Sequence, residues 1–464
     1  MLRTIKRVAS FLSLFVLVGG LFVSVYLVQN RTELFPRAFG EPANLVVDFD
    51  DTSDASGSWR NFAQGGEEEV NMLSSVEGEV RGLSPEYIRI DHIYDYYNVV
   101  NRGADGRINF SWGELDAVVN SIRAAGAKPF LSLSYMPTVI SRGNEVDLPR
   151  NWGEWELVVR STVERYSGRA SFNISDVYYE VWNEPDLFGD FKLYGEKNYL
   201  ELYRHSANGA AAAQNVNNFK IGGPATTALY PNWFKDFISF VSLNDLRLDF
   251  YSWHSYSKEL NTYEKNLQDI RIWQADFPQF FNLEILITEM GYSSENDPAY
   301  DTSLSAIHTI ATIAQVEGVV DKAFSFEIKD GPNNEKFWGR WGMLTHDRHG
   351  TPQKKIRYSA FQFLNQMPVE QTFLVTGEGY WVKALGMTDG NVSKLLVVNY
   401  DSEGKHFETV PIKFVNLPNR NFTFVRTDFQ GGTSRVDVEA NSDEWETLEL
   451  FSPNSAAIFE MAPR

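Results

Sequence analysis

The sequence predicts an α/β protein: a (β/α)8 TIM barrel followed by an antiparallel β-sandwich, with an N-terminal transmembrane helix ahead of both. Three observations carry this. Between Leu45 and Leu364, short apolar runs alternate eight times with stretches of helical spacing, and strict alternation implies a parallel sheet covered by helices. Beyond Val369 the rhythm changes to short β-like runs separated by Gly, Asn, Asp and Pro, the pattern of an antiparallel sandwich. Before both, Val8–Val28 carries no charge, and a helix crossing a bilayer needs about 20 such residues.

Arg3, Lys6 and Arg7 precede the apolar run. That order predicts a cytoplasmic tail over 1–7, an anchor over 8–28 and the rest of the chain outside the cytoplasm. A cleaved signal peptide is the rival, giving a secreted form. Its apolar core runs about 7–15 residues and ends at small residues, which Tyr26-Leu-Val-Gln-Asn does not offer. Residues 29–42, with Pro36 and Pro42, read as a linker, and 43–368 as the barrel. Its strands are expected at Leu45–Phe49, Tyr87–Ile90, Lys128–Tyr135, Val177–Trp182, Phe219–Gly222, Leu248–Trp253, Leu283–Thr288 and Ala323–Ile328.

The helices fall between the strands. Glu67–Leu83 has Val70, Leu73, Val76 and Val80 at helical spacing; Trp112–Ala125 aligns Leu115, Val118, Val119 and Ile122; Trp152–Tyr166 aligns Trp155, Val158, Val159 and Val163. Tyr199–Val216, Trp233–Val241, Tyr263–Phe277, Leu304–Val316 and Ile356–Leu364 complete the set. A doubly wound open sheet is the competing arrangement. It would carry a glycine-rich dinucleotide fingerprint after its first strand, and neither Gly65-Gly66 nor Gly222-Gly223 fits that pattern. The sandwich, 369–464, has eight candidate strands: Phe373–Val375, Tyr380–Met387, Lys394–Asn399, Phe407–Pro411, Phe422–Thr427, Val436–Val438, Thr447–Leu450 and Ala457–Phe459.

Composition narrows the chemistry. The 464 residues are 43% hydrophobic and 14% aromatic, enough for large cores. A net charge of −19 argues against a nucleic-acid partner, which needs a basic surface. With no cysteine, disulfides, thiolate metal sites and a thiol nucleophile are excluded. The seven histidines show no metal-ligand spacing such as HExxH, so no metal and no cofactor are expected. Nothing in the sequence specifies an oligomeric state.

The active site of such a barrel lies at the carboxyl ends of its strands. Val-Tyr-Tyr-Glu-Val-Trp-Asn-Glu-Pro-Asp, residues 177–186, ends the fourth strand on Glu184. Leu-Glu-Ile-Leu-Ile-Thr-Glu-Met-Gly-Tyr, residues 283–292, ends the seventh on Glu289. Two carboxyl groups facing one cavity are the minimum apparatus for cleaving a glycosidic bond: one protonates the leaving oxygen, the other attacks or activates water. For either glutamate alone a structural ion pair is the ordinary reading. Asn183 beside Glu184 changes this by supplying an amide for a sugar hydroxyl, and Pro185 stops the strand sharply.

Trp182-Asn-Glu-Pro with a later Thr288-Glu289 strand end resembles the clan of retaining barrel glycosidases. Within it the chain is most similar to glycoside hydrolase family 39, the β-xylosidase and α-iduronidase relatives, including anchored bacterial exopolysaccharide hydrolases. Tyr87-Ile-Arg-Ile-Asp, Ile221-Gly-Gly-Pro-Ala, Asp249-Phe-Tyr-Ser-Trp-His-Ser-Tyr and Trp341-Gly-Met-Leu-Thr match further stretches in the same order. The resemblance covers roughly Val46–Leu364. It implies that Glu184 is the general acid/base and Glu289 the nucleophile, with carboxyl groups about 5–5.5 Å apart rather than the roughly 6.5–9.5 Å of inverting enzymes. It also implies that Asn183 binds the hydroxyl beside the anomeric carbon, Tyr256 hydrogen-bonds Glu289, His254 lines the reacting subsite and Arg89 holds Glu289 ionised.

Two departures bear on substrate. Asp91 stands where the family pattern has a histidine, with His92 shifted by one. The eighth strand reads Phe324-Ser-Phe-Glu-Ile, where related barrels offer a sugar-stacking Trp; Trp338 in the next loop is the expected replacement. Tyr135, Phe188, Tyr194 and Trp341 also fall in or near loops at this end, and aromatic faces suit sugar CH surfaces. The expectation is a membrane-anchored retaining glycosidase acting on an extracytoplasmic polysaccharide or glycoconjugate. A catalytically silent glycan-binding envelope protein and a transglycosylase using the same site are the alternatives.

Overall fold

The computed structural model describes residues 40–464. The expected anchor at 8–28 lies outside the described residues, as do the tail and all of the linker but its last three positions. No helix among the described residues is long and apolar enough to cross a membrane.

Eight parallel strands close into a barrel: Asn61–Gln64, Tyr87–Ile90, Lys128–Leu133, Val177–Val181, Phe219–Thr226, Phe250–Tyr256, Glu284–Gly291 and Lys322–Phe326. Phe324 pairs with Asn61 to close the ring. Side chains alternating along the strands fill the interior with Ala63, Tyr87, Phe130, Tyr178, Phe250, Leu286, Phe324 and Phe326. Phe130 stacks on Tyr178 at 5.1 Å and meets Phe324 edge-on at 4.8 Å. Burying each such ring stabilises the fold by about 1.5–3 kcal/mol. Residues of the opposite parity, Phe62, Ile88, Leu131, Tyr179, Ile221, Tyr251 and Ile287 among them, belong to the large core beneath the helices. Asn151, Asn198 and Thr302 cap three of these helices by accepting from Gly153, Leu200 and Leu304.

The first barrel strand is a correction. The expected Leu45–Phe49 strand extends to Asp54 and lies in the other sheet, antiparallel to Gln371–Thr376 and parallel to Glu408–Val415. The barrel expected over 43–368 therefore starts later, at Asn61. Leu45 and Val47 are buried against the accessory core with Phe373 and Phe414. The true first strand, Asn-Phe-Ala-Gln, offers no apolar run; its polar ends are held by hydrogen bonds such as Gln64 Nε2 to Glu327 Oε1 at 2.6 Å.

The helix expected over Glu67–Leu83 shortens to Glu77–Arg81. Leu73, Val76 and Val80 are buried as the spacing requires, but through turns: Asn71 Oδ1 accepts from Leu73 N, and Val70 is exposed. Three successive glutamates followed by Asn71, Ser74 and Ser75 favour turns over helix. The fifth, sixth and seventh strands run further toward their carboxyl ends than expected, to Thr226, Tyr256 and Gly291. A small hairpin, Val100–Arg102 with Ile108–Phe110, was not foreseen.

Each of the eight candidate strands beyond residue 369 forms, and with Leu45–Asp54 they make a nine-stranded sheet. The sheet folds over itself: Phe414 and Trp445 pack on Phe424, and Phe451 on Phe459. Pairing is antiparallel throughout except for Leu45–Asp54 beside Glu408–Val415. This unit sits against the barrel through Tyr400, whose hydroxyl donates to the Lys258 carbonyl at 2.7 Å, and through the Phe363–Phe429 contact.

Candidate active site

The fourth strand brings Glu180 and then Glu184 to the carboxyl end of the barrel. The chain leaves the strand sharply, with Trp182 at φ 74° and Glu184 at φ 45°. Side chains avoid this left-handed region unless the surroundings impose it. Here they do: the Trp182 ring is buried between Tyr135 and Phe191, its carbonyl accepts from Ser132 Oγ at 2.7 Å, and Glu184 N donates to the Ala225 carbonyl at 3.0 Å. The strain fixes where the Glu184 carboxyl points. Glu289 arrives on the seventh strand, six per cent exposed.

His254 joins the two glutamates. Its Nδ1 lies 2.8 Å from Glu184 Oε1 and 3.5 Å from Glu289 Oε2. One oxygen of each carboxylate and one ring nitrogen fall within 4.8 Å of one another. These are residue types that also ligate cations, but the hydrogen bond from His254 to Glu184 accounts for their closeness. Tyr256 OH donates to Glu289 Oε2 at 2.7 Å.

Arg89 organises the other side. Its Nη1 donates to Glu289 Oε1 at 2.8 Å, Nε to Glu180 Oε2 at 2.7 Å and Nη2 to Asn183 Oδ1 at 2.7 Å. Asn183 Nδ2 in turn donates to Tyr135 OH at 3.0 Å. Burial opposes the Arg89 charge, but Glu180 and Glu289 together hold its pKa above the ordinary value. Burial pushes the Glu289 carboxyl above the usual range, against the pull of His254 and Arg89; the Glu184 charge pushes the same way as burial. Burial opposes the His254 charge, yet Glu289 and Glu184 raise its pKa overall. The Tyr256 phenol is pushed well up by burial and by Glu289, so it remains a donor.

Glu184, Glu289, Asn183, His254, Tyr256 and Arg89 thus meet in one cluster of hydrogen bonds and ion pairs. Trp338 stands further out, its ring 5.2 Å from the Arg340 guanidinium. In the same loop Trp341 is closer in: it meets Phe326 at 5.2 Å, and Phe326 meets Tyr256 at 6.4 Å. Sequence reasoning passed over Glu180. Its signal was present, as the one charged residue within the apolar strand Val177–Val181. Glu327 was equally unheralded, and only the packing shows that it is buried at the end of the eighth strand.

Comparison with known proteins identifies the family. The family model described as Glycosyl hydrolases family 39 matches residues 66–382, well over half the chain. A β-xylosidase of Caldicellulosiruptor saccharolyticus is 27% identical over 394 residues, covering 78% of this chain and 79% of that protein. Among solved structures, a monomeric β-xylosidase from Caulobacter crescentus superposes with a TM-score of 0.72 at 18% identity, over 91% of this chain and 99% of that one. A bacterial orthologue of human α-L-iduronidase gives 0.64 at 15% identity, over 91% and 84%. With two carboxylates converging at a barrel mouth inside the matched region, this chain belongs to glycosyl hydrolases family 39 and is a glycosidase.

Proposed function

We propose that the protein is a retaining glycosidase in which Glu184 is the acid/base and Glu289 the nucleophile. One observation carries this reading: a carboxylate oxygen of each lies within 4.8 Å of the other. That suits a pair that flanks one anomeric carbon, about 5–5.5 Å apart. It favours such a pair over an inverting one, whose carboxyl groups stand roughly 6.5–9.5 Å apart to hold a water.

In the first step Glu184 gives its proton to the glycosidic oxygen while Glu289 Oε attacks the anomeric carbon, forming a glycosyl ester. In the second, water attacks the same carbon, Glu184 takes its proton and Glu289 leaves as carboxylate. The ionised nucleophile is supported by donors from Arg89 and Tyr256. His254 beside Glu184 stabilises its carboxylate after the first transfer. Asn183, held by Arg89 and Tyr135, presents an amide hydrogen to the sugar hydroxyl next to the reacting carbon.

Residues 8–28 anchor the enzyme, so that it acts on an extracytoplasmic polysaccharide or glycoconjugate; the uncharged run behind Arg3, Lys6 and Arg7 supports this. Incubation with a 2-deoxy-2-fluoro aryl glycoside should leave one sugar esterified to Glu289, identified by mass spectrometry. Proton NMR of early product should show the substrate's own anomer. An inverted first product, or a label on another residue, would refute the assignment.

A further inference from the structure

Two buried carboxylates near the catalytic cluster have unpartnered oxygens, and no reaction step uses them. Asp91, at the end of the second strand, is seven per cent exposed, and its Oδ1 has no hydrogen-bond partner. Glu327, at the end of the eighth, is one per cent exposed; Gln64 donates to its Oε1 at 2.6 Å and its Oε2 has none. The first strand runs between these two in the barrel, and its end is Gln64-Gly65. Gly65 makes room: a Cβ there would come within 2.3 Å of Asp91 Oδ1. Asp91 lies near enough for its charge to bear on Arg89, Glu289 and Tyr135, and Glu327 interacts electrostatically with Glu289. The adjacent ends of strands eight, one and two therefore form one acidic wall of the site.

The charge there is balanced only in part: Arg340 acts on Glu327 from a distance. Arg89 is shared by Glu180 and Glu289, His254 serves Glu184, and Arg340 is engaged by Glu67. Among the described residues no cation pairs with Asp91 or Glu327 within salt-bridge distance. A carboxylate offers only acceptors, and leaving one buried without a donor is costly. A metal ion does not fit: among the described residues Asp91 and Glu327 belong to no trio of ligand atoms within 4.8 Å of one another, whereas Glu184, His254 and Glu289 do. The wall calls for a larger group that carries hydrogen-bond donors and positive charge, and it repels a carboxylate.

We propose that the glycone pocket is built for a sugar with a free amino group, its ammonium facing Asp91 and the acidic wall, and that it discriminates against uronic acids. This rests on the glycosidase reading above. It assigns Asp91 and Glu327 to substrate choice, the first at a position where the sequence departs from the family pattern and the second in a strand that lacks the pattern's Trp.

The test uses the full-length protein and matched 4-nitrophenyl glycosides, both anomers, of hexosamines, their N-acetylated forms, the parent hexoses and the uronic acids. The free-amine glycoside should exceed its hexose and N-acetyl counterparts in kcat/KM by at least about tenfold, the scale of one charge-assisted hydrogen bond. Isosteric Asp91→Asn and Glu327→Gln should each lower that amine-to-hydroxyl ratio, a comparison within one preparation that misfolding cannot mimic. Equal or faster turnover of hexoses or uronates, or a ratio unchanged by Asp91→Asn, would overturn the inference and leave the glycosidase reading intact. If no glycoside of any class is hydrolysed, both fall.

Discussion

Arg89→Met tests whether the cluster depends on one buried cation. The change keeps the length and apolar stem of the side chain but removes three hydrogen bonds, to Glu180, Glu289 and Asn183. Two buried carboxylates then lose their counter-charge. At about 4 Å and an effective dielectric of about 20, a unit charge contributes about 4 kcal/mol. Its loss pushes the Glu289 carboxyl further up. Burial already raises the Glu289 carboxyl, and the nucleophile must be ionised, so the acid limb of kcat/KM should move alkaline.

Stability should follow the same sign. With Arg89 gone the Glu289 carboxyl titrates higher still in the folded than in the unfolded chain, so its protonated form favours folding. The variant's deficit is then small in acid and grows as pH rises through the new folded values, to about 3–5 kcal/mol near neutrality. The assay is a pH–rate profile on an aryl glycoside beside thermal melts across the same pH range. Glu180→Gln added to Arg89→Met should recover part of the melt. An unmoved acid limb, together with a melt deficit independent of pH, would refute the electrostatic account.

Three further predictions rest on single contacts. Glu184→Gln and Glu289→Gln should each cut aryl-glycoside turnover by several powers of ten while the melt stays close to that of the parent; ordinary rates in either variant would remove that residue from the chemistry. Tyr256→Phe deletes the 2.7 Å hydrogen bond to Glu289 and should lower kcat about tenfold, with KM nearly constant, in steady-state kinetics. Lys355→Met breaks the buried pair with Asp330, which ties the loop after the eighth strand to the helix that follows; unfolding by denaturant should show a loss of about 3–5 kcal/mol.

Much of the barrel was legible because its signal is local. Val177–Val181 and Glu284–Gly291 are largely apolar runs, the first leading into Asn183-Glu184 and the second carrying Glu289 near its end, and Trp152–Tyr166 places Trp155, Val158, Val159 and Val163 on one face. Such patterns reflect strand and helix periods that a few residues suffice to display. The strand Leu45–Asp54 was equally visible as a strand, but not as a member of its sheet. That depends on Val46 meeting Thr376 and Lys413, contacts hundreds of residues away. The four-residue Asn61–Gln64 was invisible because closure of the barrel, rather than its own hydrophobicity, holds it.

The site divides in the same way. Glu184 and Glu289 could be named from the chain alone, since each closes an apolar strand beside residues that point to one chemistry. Their partners depend on distant segments. Arg89 reaches Glu180 and Glu289 across 91 and 200 positions, and the unsatisfied oxygens of Asp91 and Glu327 are a property of packing that no local pattern encodes. Periodicity and strand-end chemistry are written along the polymer; which buried charges find counter-charges, and which wait for one, depends on the three-dimensional enclosure that removes water from them.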